Sequence, residues 1–281
     1  RDICWEWYVS DWEQCILQSS VTYLKKWWDF KSILTFLAWS NPINIIERSD
    51  NEPVWQTGLW STSWLPVIAW YELSEDGTWT IYYKTDATTI FMNSDSSYMF
   101  NNFRKLKRVN LDGFNSSKVT TMQLMFDYCF DLEELDVSNR DTSNVTNMAN
   151  MFSRTQNLKH LNLSNFDTSN VTTMYAMFLE TYALEELDLS IFDTSYVTDM
   201  RFMFYNCGSL ETIYVSDTFV TTNVTSSASM FYNTPNLVGG NGTLWDSSKI
   251  DKTYALIDKE GQKWYFTDGS IPVIRNVSNV S

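Results

Sequence analysis

The sequence predicts an α/β solenoid, a stack of about five 26-residue units closed by a cap at each end. Three observations predict it. The dipeptide Met-Phe begins at Met99, Met125, Met151, Met177, Met203 and Met230, at spacings of 26, 26, 26, 26 and 27. Val-Thr recurs in register at Val119, Val145, Val171, Val197 and Val224. Each unit also carries an apolar triplet, as in Leu132/Leu135/Val137, Leu158/Leu161/Leu163 and Leu184/Leu187/Leu189. A fixed period in this range is the signature of a repeat architecture, in which each unit buries its apolar face only against its neighbours.

Within a unit, the segment Ser143 to Phe152 places Val145, Met148 and Met151/Phe152 at the spacing of one face of a short helix behind a polar capping residue. The triplet that follows alternates: Leu135 and Val137 against Glu134, Asp136 and Ser138, the period of a strand with one buried face. A helical turn plus a strand in every unit of this period falls in the length range of leucine-rich repeats. The predicted organisation is a Trp-rich N-terminal region over 1–68, a β-hairpin cap over 69–97, the leucine-rich-repeat array over 98–239, and a β-hairpin C-terminal cap over 240–281. The hairpin is centred on Asp76-Gly77, flanked by Glu72-Leu73 and Trp79 to Tyr82. Eleven of the thirteen tryptophans lie at or before Trp79, which sets the N-terminal region apart. They suit a cap core of large side chains better than a platform for stacking sugar rings.

The phrases Phe166 to Phe178 and Leu184 to Ser190 resemble those of the BspA-like leucine-rich-repeat surface proteins, in period, in helix letters and in strand letters. That resemblance covers roughly 98–239. It implies a secreted or cell-surface protein that binds or adheres to a protein partner, on a host or a neighbouring cell, and it brings no catalytic residues. Residues 1 to about 68 lie outside it. The chain starts at Arg1 without a leader pattern and reads as a processed form or a fragment.

Composition narrows the function classes. With 34 acidic against 20 basic residues the net charge is −14, which repels nucleic-acid phosphates. No apolar run approaches the roughly 20 residues of a membrane span. One histidine, His160, and four scattered cysteines do not make a zinc site, and no cofactor is expected. Cys4 and Cys15 suit a short disulfide loop in an exported protein or two thiols, and the sequence leaves both open. Cys129 and Cys207 share one repeat column three units apart, too far for a bridge, and are expected as buried spacers with Thr155 and Thr181 in the same slot. The column Asp141, Asp167 and Asp193 reads as local caps before it reads as a calcium ladder. The sequons at Asn144, Asn170 and Asn223 are letters of the repeat and accept sugar only in a eukaryotic secretory pathway.

Acid pairs such as Glu133/Glu134 and Glu185/Glu186 suggest glycoside chemistry, but on successive strands of an open sheet they lack an enclosed cleft, so catalysis is not expected. The outward strand positions carry the site prediction: Arg108, Glu134, Asp136, His160, Asn162, Glu186, Asp188 and Tyr214. They form an acidic sheet face suited to a protein partner. Carbohydrate binding beside an enzyme domain, and self-assembly into a layer or filament, are the competing expectations.

Overall fold

The computed structural model describes residues 21–23, 43–49, 68–84 and 89–270. Their architecture is one of short β-strands in four small sheets. In chain order the strands are β1 (Val21–Tyr23), β2 (Ile45–Arg48), β3 (Ile68–Leu73), β4 (Trp79–Lys84), β5 (Thr89–Phe91) and β6 (Arg108–Val109). There follow β7 (Phe114–Asn115), β8 (Glu134–Asp136), β9 (His160–Asn162), β10 (Glu186–Leu189), β11 (Thr212–Val215) and β12 (Thr267–Asp268). The sheets run β3-β4-β2-β6, β1-β5-β7, β8-β9 and β10-β11-β12. The Trp-rich region, with Cys4 and Cys15, lies outside the described residues apart from β1, 43–49 and the first residue of β3.

The repeat is legible as a register. Glu134, Leu135 and Asp136 pair in parallel with His160, Leu161 and Asn162, and Glu186 to Leu189 pair with Thr212 to Val215. A second parallel ladder of single bridges joins Asp95, Thr121, Asn147, Thr173, Asp199 and Ser226 in turn. Each residue therefore faces its own counterpart in the next unit. Threonines reinforce this: Thr146 Oγ1 donates to the Thr120 carbonyl (3.2 Å) and Thr172 Oγ1 to that of Thr146 (3.0 Å). The amides of Asn144, Asn170 and Asn223 reach back to the carbonyls of Ser117, Ser143 and Ser195 at 2.9, 2.8 and 2.7 Å. These asparagines tie units together instead of capping a helix.

The helical turn predicted before each Met-Phe pair is absent: among the described residues there is no α-helix, and the one 3-10 turn is Lys252–Tyr254. The segment is a run of tight turns in which Leu124 and Tyr128, Asn150 and Arg154, Ala176 and Glu180, Phe202 and Asn206 all have φ between 52 and 62°. Left-handed residues every fourth position break any helix. The amide donors go elsewhere. Those of Met122, Leu124, Phe126 and Tyr128 bond the carbonyls of Asn147, Ala149, Met151 and Ser153 in the next unit at 3.0, 2.9, 2.9 and 3.1 Å. Met125, Asp127 and Cys129, which alternate with them, close local turns on Met122, Leu124 and Phe126. Because a tight turn also advances three to four residues, it reproduces helical apolar spacing without helical bonding.

The core is a column of side chains along the stack. Phe100, Phe126, Phe152, Phe178, Phe204 and Phe231 are all buried, and successive rings stack at 5.1, 6.0, 5.8, 5.8 and 5.5 Å. The cysteine slot behaves as expected. Cys129 and Cys207 are buried thiols that donate to the Phe100 and Phe178 carbonyls (3.0 Å each), while Thr155 and Thr181 bond the carbonyls of Phe152 and Phe178.

Both ends differ from expectation in detail. The predicted N-terminal hairpin forms: β3 and β4 pair antiparallel around a turn with Gly77 at φ 84°, and Asp76 Oδ1 accepts from the Thr78 amide. It does not sit directly on the array, because β2 intervenes and pairs in parallel with both β4 and β6. At the other end, Val238 and Leu244 bridge antiparallel, with the Trp245 amide on the Leu237 carbonyl and the Gly239 amide on that of Thr243, so a short hairpin opens the cap, and β12 then lies parallel on β11. Tyr265 and Phe266 turn inward there, their rings 5.2 and 5.8 Å from Phe231, and close the phenylalanine column with aromatic edges. Asp258 holds this closure, accepting from the amides of Asn241 and Thr243 and from the Thr243 hydroxyl.

One residue breaks the pattern of the core. Phe114, Phe166, Phe192 and Phe219 fill a second buried column, and at the same repeat position Arg140 is buried too, at 7% exposure. Its guanidinium donates to the Phe114 carbonyl, yet among the described residues its Nε has no partner. Burial pushes its pKa down against the pull of Asp112, Tyr83 and Asp136. Replacing a buried charge by a well-packed apolar side chain is often stabilising, by about 1–4 kcal/mol.

Phe178→Ala should cost about 3–5 kcal/mol in denaturant unfolding, since its buried ring is sandwiched by Phe152 and Phe204. An unchanged unfolding midpoint would remove the column from the core. Arg140→Phe, completing the second column, should raise stability by about 1–4 kcal/mol; a loss would mean that Asp112 and Asp136 depend on the guanidinium more than the column depends on packing.

Candidate functional site

Strand alternation decides which side chains leave the core. In β8 Leu135 is buried between the exposed Glu134 and Asp136, and in β10 Leu187 and Leu189 are buried while Glu186 and Asp188 are exposed. Parallel register then lines up the exposed set across units. The outcome is an open groove of about 550 Å³ whose lining includes Arg108, Glu134, Asp136, His160, Asn162, Glu186 and Asp188. Seven of the eight residues predicted from sequence meet in it.

Tyr214 does not. It lies half-buried on β11, opposite Asp188 on one side and Thr267 of β12 on the other. The backbone at Gly269 passes so close that a Cβ there would lie 3.2 Å from the Cβ of Tyr214. The closing strand extends the sheet past β11 here, which a strand pattern read unit by unit does not reveal.

The groove also contains residues the alternation rule passed over. Lys159 and Glu185 precede their strands in one repeat column and line it, as do Val109 and Leu161. Leu161 is only partly buried, whereas its counterparts Leu135 and Leu187 are at 3% and 1% exposure. The groove thus has an apolar floor with carboxylates of Glu134, Asp136, Glu185, Glu186 and Asp188 around it. The signal available in the sequence was the column Lys107, Glu133, Lys159, Glu185 and Glu211, whose members are exposed throughout.

The groove carboxylates differ in what holds them. Asp136 and Asp188 accept from the amides of Ser138 (2.9 Å) and Ser190 (3.0 Å), and Asn162 Oδ1 accepts from Ser164 (3.2 Å), so each closes a turn at the end of its strand. Bonds from Ser138, joined by the charge of Arg140, keep the pKa of Asp136 below the ordinary carboxylate value. Glu134 and His160 face each other across β8 and β9. Arg108 is drawn toward the N-terminal side by a 3.0 Å ion pair with Glu47 on β2. Lys105 similarly reaches Asp131 at 3.1 Å. The cluster of basic residues at the first unit is therefore partly neutralised by neighbours.

The Asp141, Asp167 and Asp193 column consists of local turn caps. Asp141 and Asp167 each bind the amide and hydroxyl of the serine two residues on, at 3.0 and 2.6 Å and at 2.9 and 2.6 Å, and Asp193 binds the Ser195 amide at 2.8 Å. Among the described residues no group of three or more His, Cys, Asp or Glu is placed to hold a metal ion. Nor is any helix among them long and apolar enough to cross a membrane.

The family comparison overlaps this whole region. Residues 94–216, 131–239 and 157–263 each match the family described as Mycoplasma protein of unknown function, DUF285, and together they span more than half of the chain. The chain belongs to the DUF285 family. No curated protein and no solved structure matches it. Two of the DUF285 matches start one repeat period apart, at 131 and 157, so the family pattern re-registers on this chain by one structural unit. The groove residues Glu134 to Asp188 all fall inside matched segments.

The turn-capping aspartates make stability depend on acid. The hydroxyl and amide of Ser169 hold the pKa of Asp167 below its ordinary value of 3.8, and the amide and hydroxyl of Ser248, with Lys249, bring that of Asp246 to about 2. A depressed carboxylate favours the fold when ionised. Its contribution is complete above the unfolded value and disappears as pH falls through the folded one. The melting temperature should therefore decline as pH drops from about 4 towards 2. Asp167→Asn, which keeps the cap acceptor without the titration, should melt close to the wild type at pH 7 and flatten the acid limb; an identical limb would place the titration elsewhere.

Proposed function

We propose that this DUF285 chain is a leucine-rich-repeat solenoid of the BspA-like kind, secreted or displayed on a cell surface, and that it binds a protein partner without catalysis. The observation that carries the reading is the convergence of Glu134, Asp136, Glu185, Glu186 and Asp188 on one open groove with an apolar floor. Supporting the solenoid assignment are the repeat-length register of paired strands and the continuous phenylalanine column. The groove receives an extended basic segment: its lysines or arginines meet the carboxylates while an apolar side chain between them rests on Leu161 and Val109. His160 and Asn162 supply hydrogen-bonding groups at the centre, and Lys159 sets the register by repelling a cation placed over it. Binding without chemistry suits this geometry, because the groove is open to water and a solvated carboxylate pair gains little as acid and base.

Affinity capture with the purified chain from host-cell and bacterial surface extracts, followed by kinetics on the captured partner, tests the reading. Association should slow by roughly tenfold or more between low and physiological salt. Reversing Glu134 and Glu186 to lysine should slow it further while leaving the melting temperature within a few degrees of the parent, since both side chains are exposed. A partner indifferent to both salt and the double reversal would not be using the groove.

A further inference from the structure

The turn face of the array, formed by residues flanking each Met-Phe pair, has a chemistry opposite to that of the groove. In the last units it carries a continuous chain of rings. Tyr175 meets Phe202 edge-on at 5.7 Å, Phe202 meets Tyr205 at 5.6 Å, and Tyr205 stacks on Tyr232 at 4.8 Å. These rings are surface groups: Tyr232 is 46% exposed, and Tyr175, Phe202 and Tyr205 are half-buried. The patch is local, because the column of Tyr175 holds Ala149 one unit earlier and that of Tyr205 holds Ser153 two units earlier.

Phe202 takes the left-handed φ that the turn imposes on Leu124, Asn150 and Ala176 at the same repeat position, and its ring stays half-exposed. The polar groups around the rings are planar and already paired. Arg201 lies 5.1 Å over the Tyr175 ring and donates from Nε and an NH2 group to Asp199 at 3.0 and 2.6 Å. Arg154 is bonded to Glu180 at 3.3 Å, and the Asn233 amide donates to Asn206 at 3.0 Å.

We infer that the turn face around Tyr175, Phe202, Tyr205 and Tyr232 binds an uncharged oligosaccharide. Tyr232, 46% exposed and stacked on Tyr205 through one face, offers an apolar ring surface with a polar edge, which suits the alternating apolar and hydroxyl surfaces of a sugar ring. Amides and a paired guanidinium–carboxylate supply donors and acceptors in fixed planes beside it. An ionic partner gains little here, because each cation named already has its anion. A nucleic acid is opposed by the net charge of −14. The site stands independently of the groove and of whatever the groove binds.

Isothermal titration calorimetry of the full chain with cellohexaose, chitohexaose and mannohexaose tests the inference. At least one should bind, with the same affinity at about 0.05 and 0.5 M NaCl, because a neutral ligand is not screened. Tyr232→Ala and Tyr205→Ala should each weaken it by about tenfold or more, as loss of a stacking anchor does. Tyr232→Phe should retain most of the affinity. Glu134→Lys with Glu186→Lys should leave sugar binding unchanged while slowing any salt-dependent protein association, which separates the two sites. Should the half-buried Tyr205 variant fail to fold, the exposed Tyr232 decides alone. Binding of none of the three sugars overturns the inference, as does binding that Tyr232→Ala leaves intact. Loss of a captured protein partner in Tyr232→Ala, with no sugar bound by the parent, would overturn it too and make the face a protein interface.

Discussion

The structure depends on backbone donors that have no partner inside their own unit. In each turn segment alternate amides point along the stack, and only carbonyls of the next unit accept them, as Phe126 donates to Met151 and Phe152 to Met177. A unit by itself would bury those groups unpaired, which costs more than the bond returns. The constant repeat period is therefore a hydrogen-bonding requirement before it is a packing one. Insertion of a single residue is tolerated where the last interval becomes 27, between Met203 and Met230, and there the bonds shift accordingly, Phe204 donating to Met230.

Side chains repeat the same logic. A phenylalanine stacked on its own copy above and below has neighbours of matching shape, which favours close packing along the column. Thr120, Thr146, Thr172 and Thr198 hand a hydroxyl bond from unit to unit, and the asparagine and threonine letters that look like capping signals are inter-unit ties. The ends need something else. Tyr265 and Phe266 meet the last phenylalanine edge-on, and Asp258 gathers the loop that carries them, so the column ends in rings that do not extend it. Aromatic edges thus end the ring column.

A stack with a repeated interior is free to vary its exterior, and here the two exposed faces have diverged. The strand face gathers carboxylates around a shallow apolar floor, and the turn face gathers rings whose flanking charges are internally paired. Neither set affects the register, because both sit on positions that alternate out of the core. Arg140 is the exception, a charge inside the second phenylalanine column within reach of Asp136 in the groove. Its presence couples the groove face to the packing beneath it.

The period, the strand faces and the identity of the groove residues are all written in the sequence, because strand alternation is local and a repeat places equal letters in equal environments. Glu134, Asp136, Glu186 and Asp188 were legible for that reason, as was the buried thiol slot of Cys129 and Cys207. The turn segment was not legible as turns. Apolar residues at i, i+3 and i+4 fit a helix and a run of tight turns alike, and what separates them is where the amides bond, which depends on a neighbour in the next unit. Tyr214 lies off the groove lining, and its neighbour on the far side, Thr267, comes from a strand far along the chain and outside the repeat pattern. The ring chain of Tyr175, Phe202, Tyr205 and Tyr232 likewise spans three units and more than one repeat column. Composition and local pattern determined the repeat and its faces, while contacts between distant copies decided how the backbone is satisfied and which exposed residues meet.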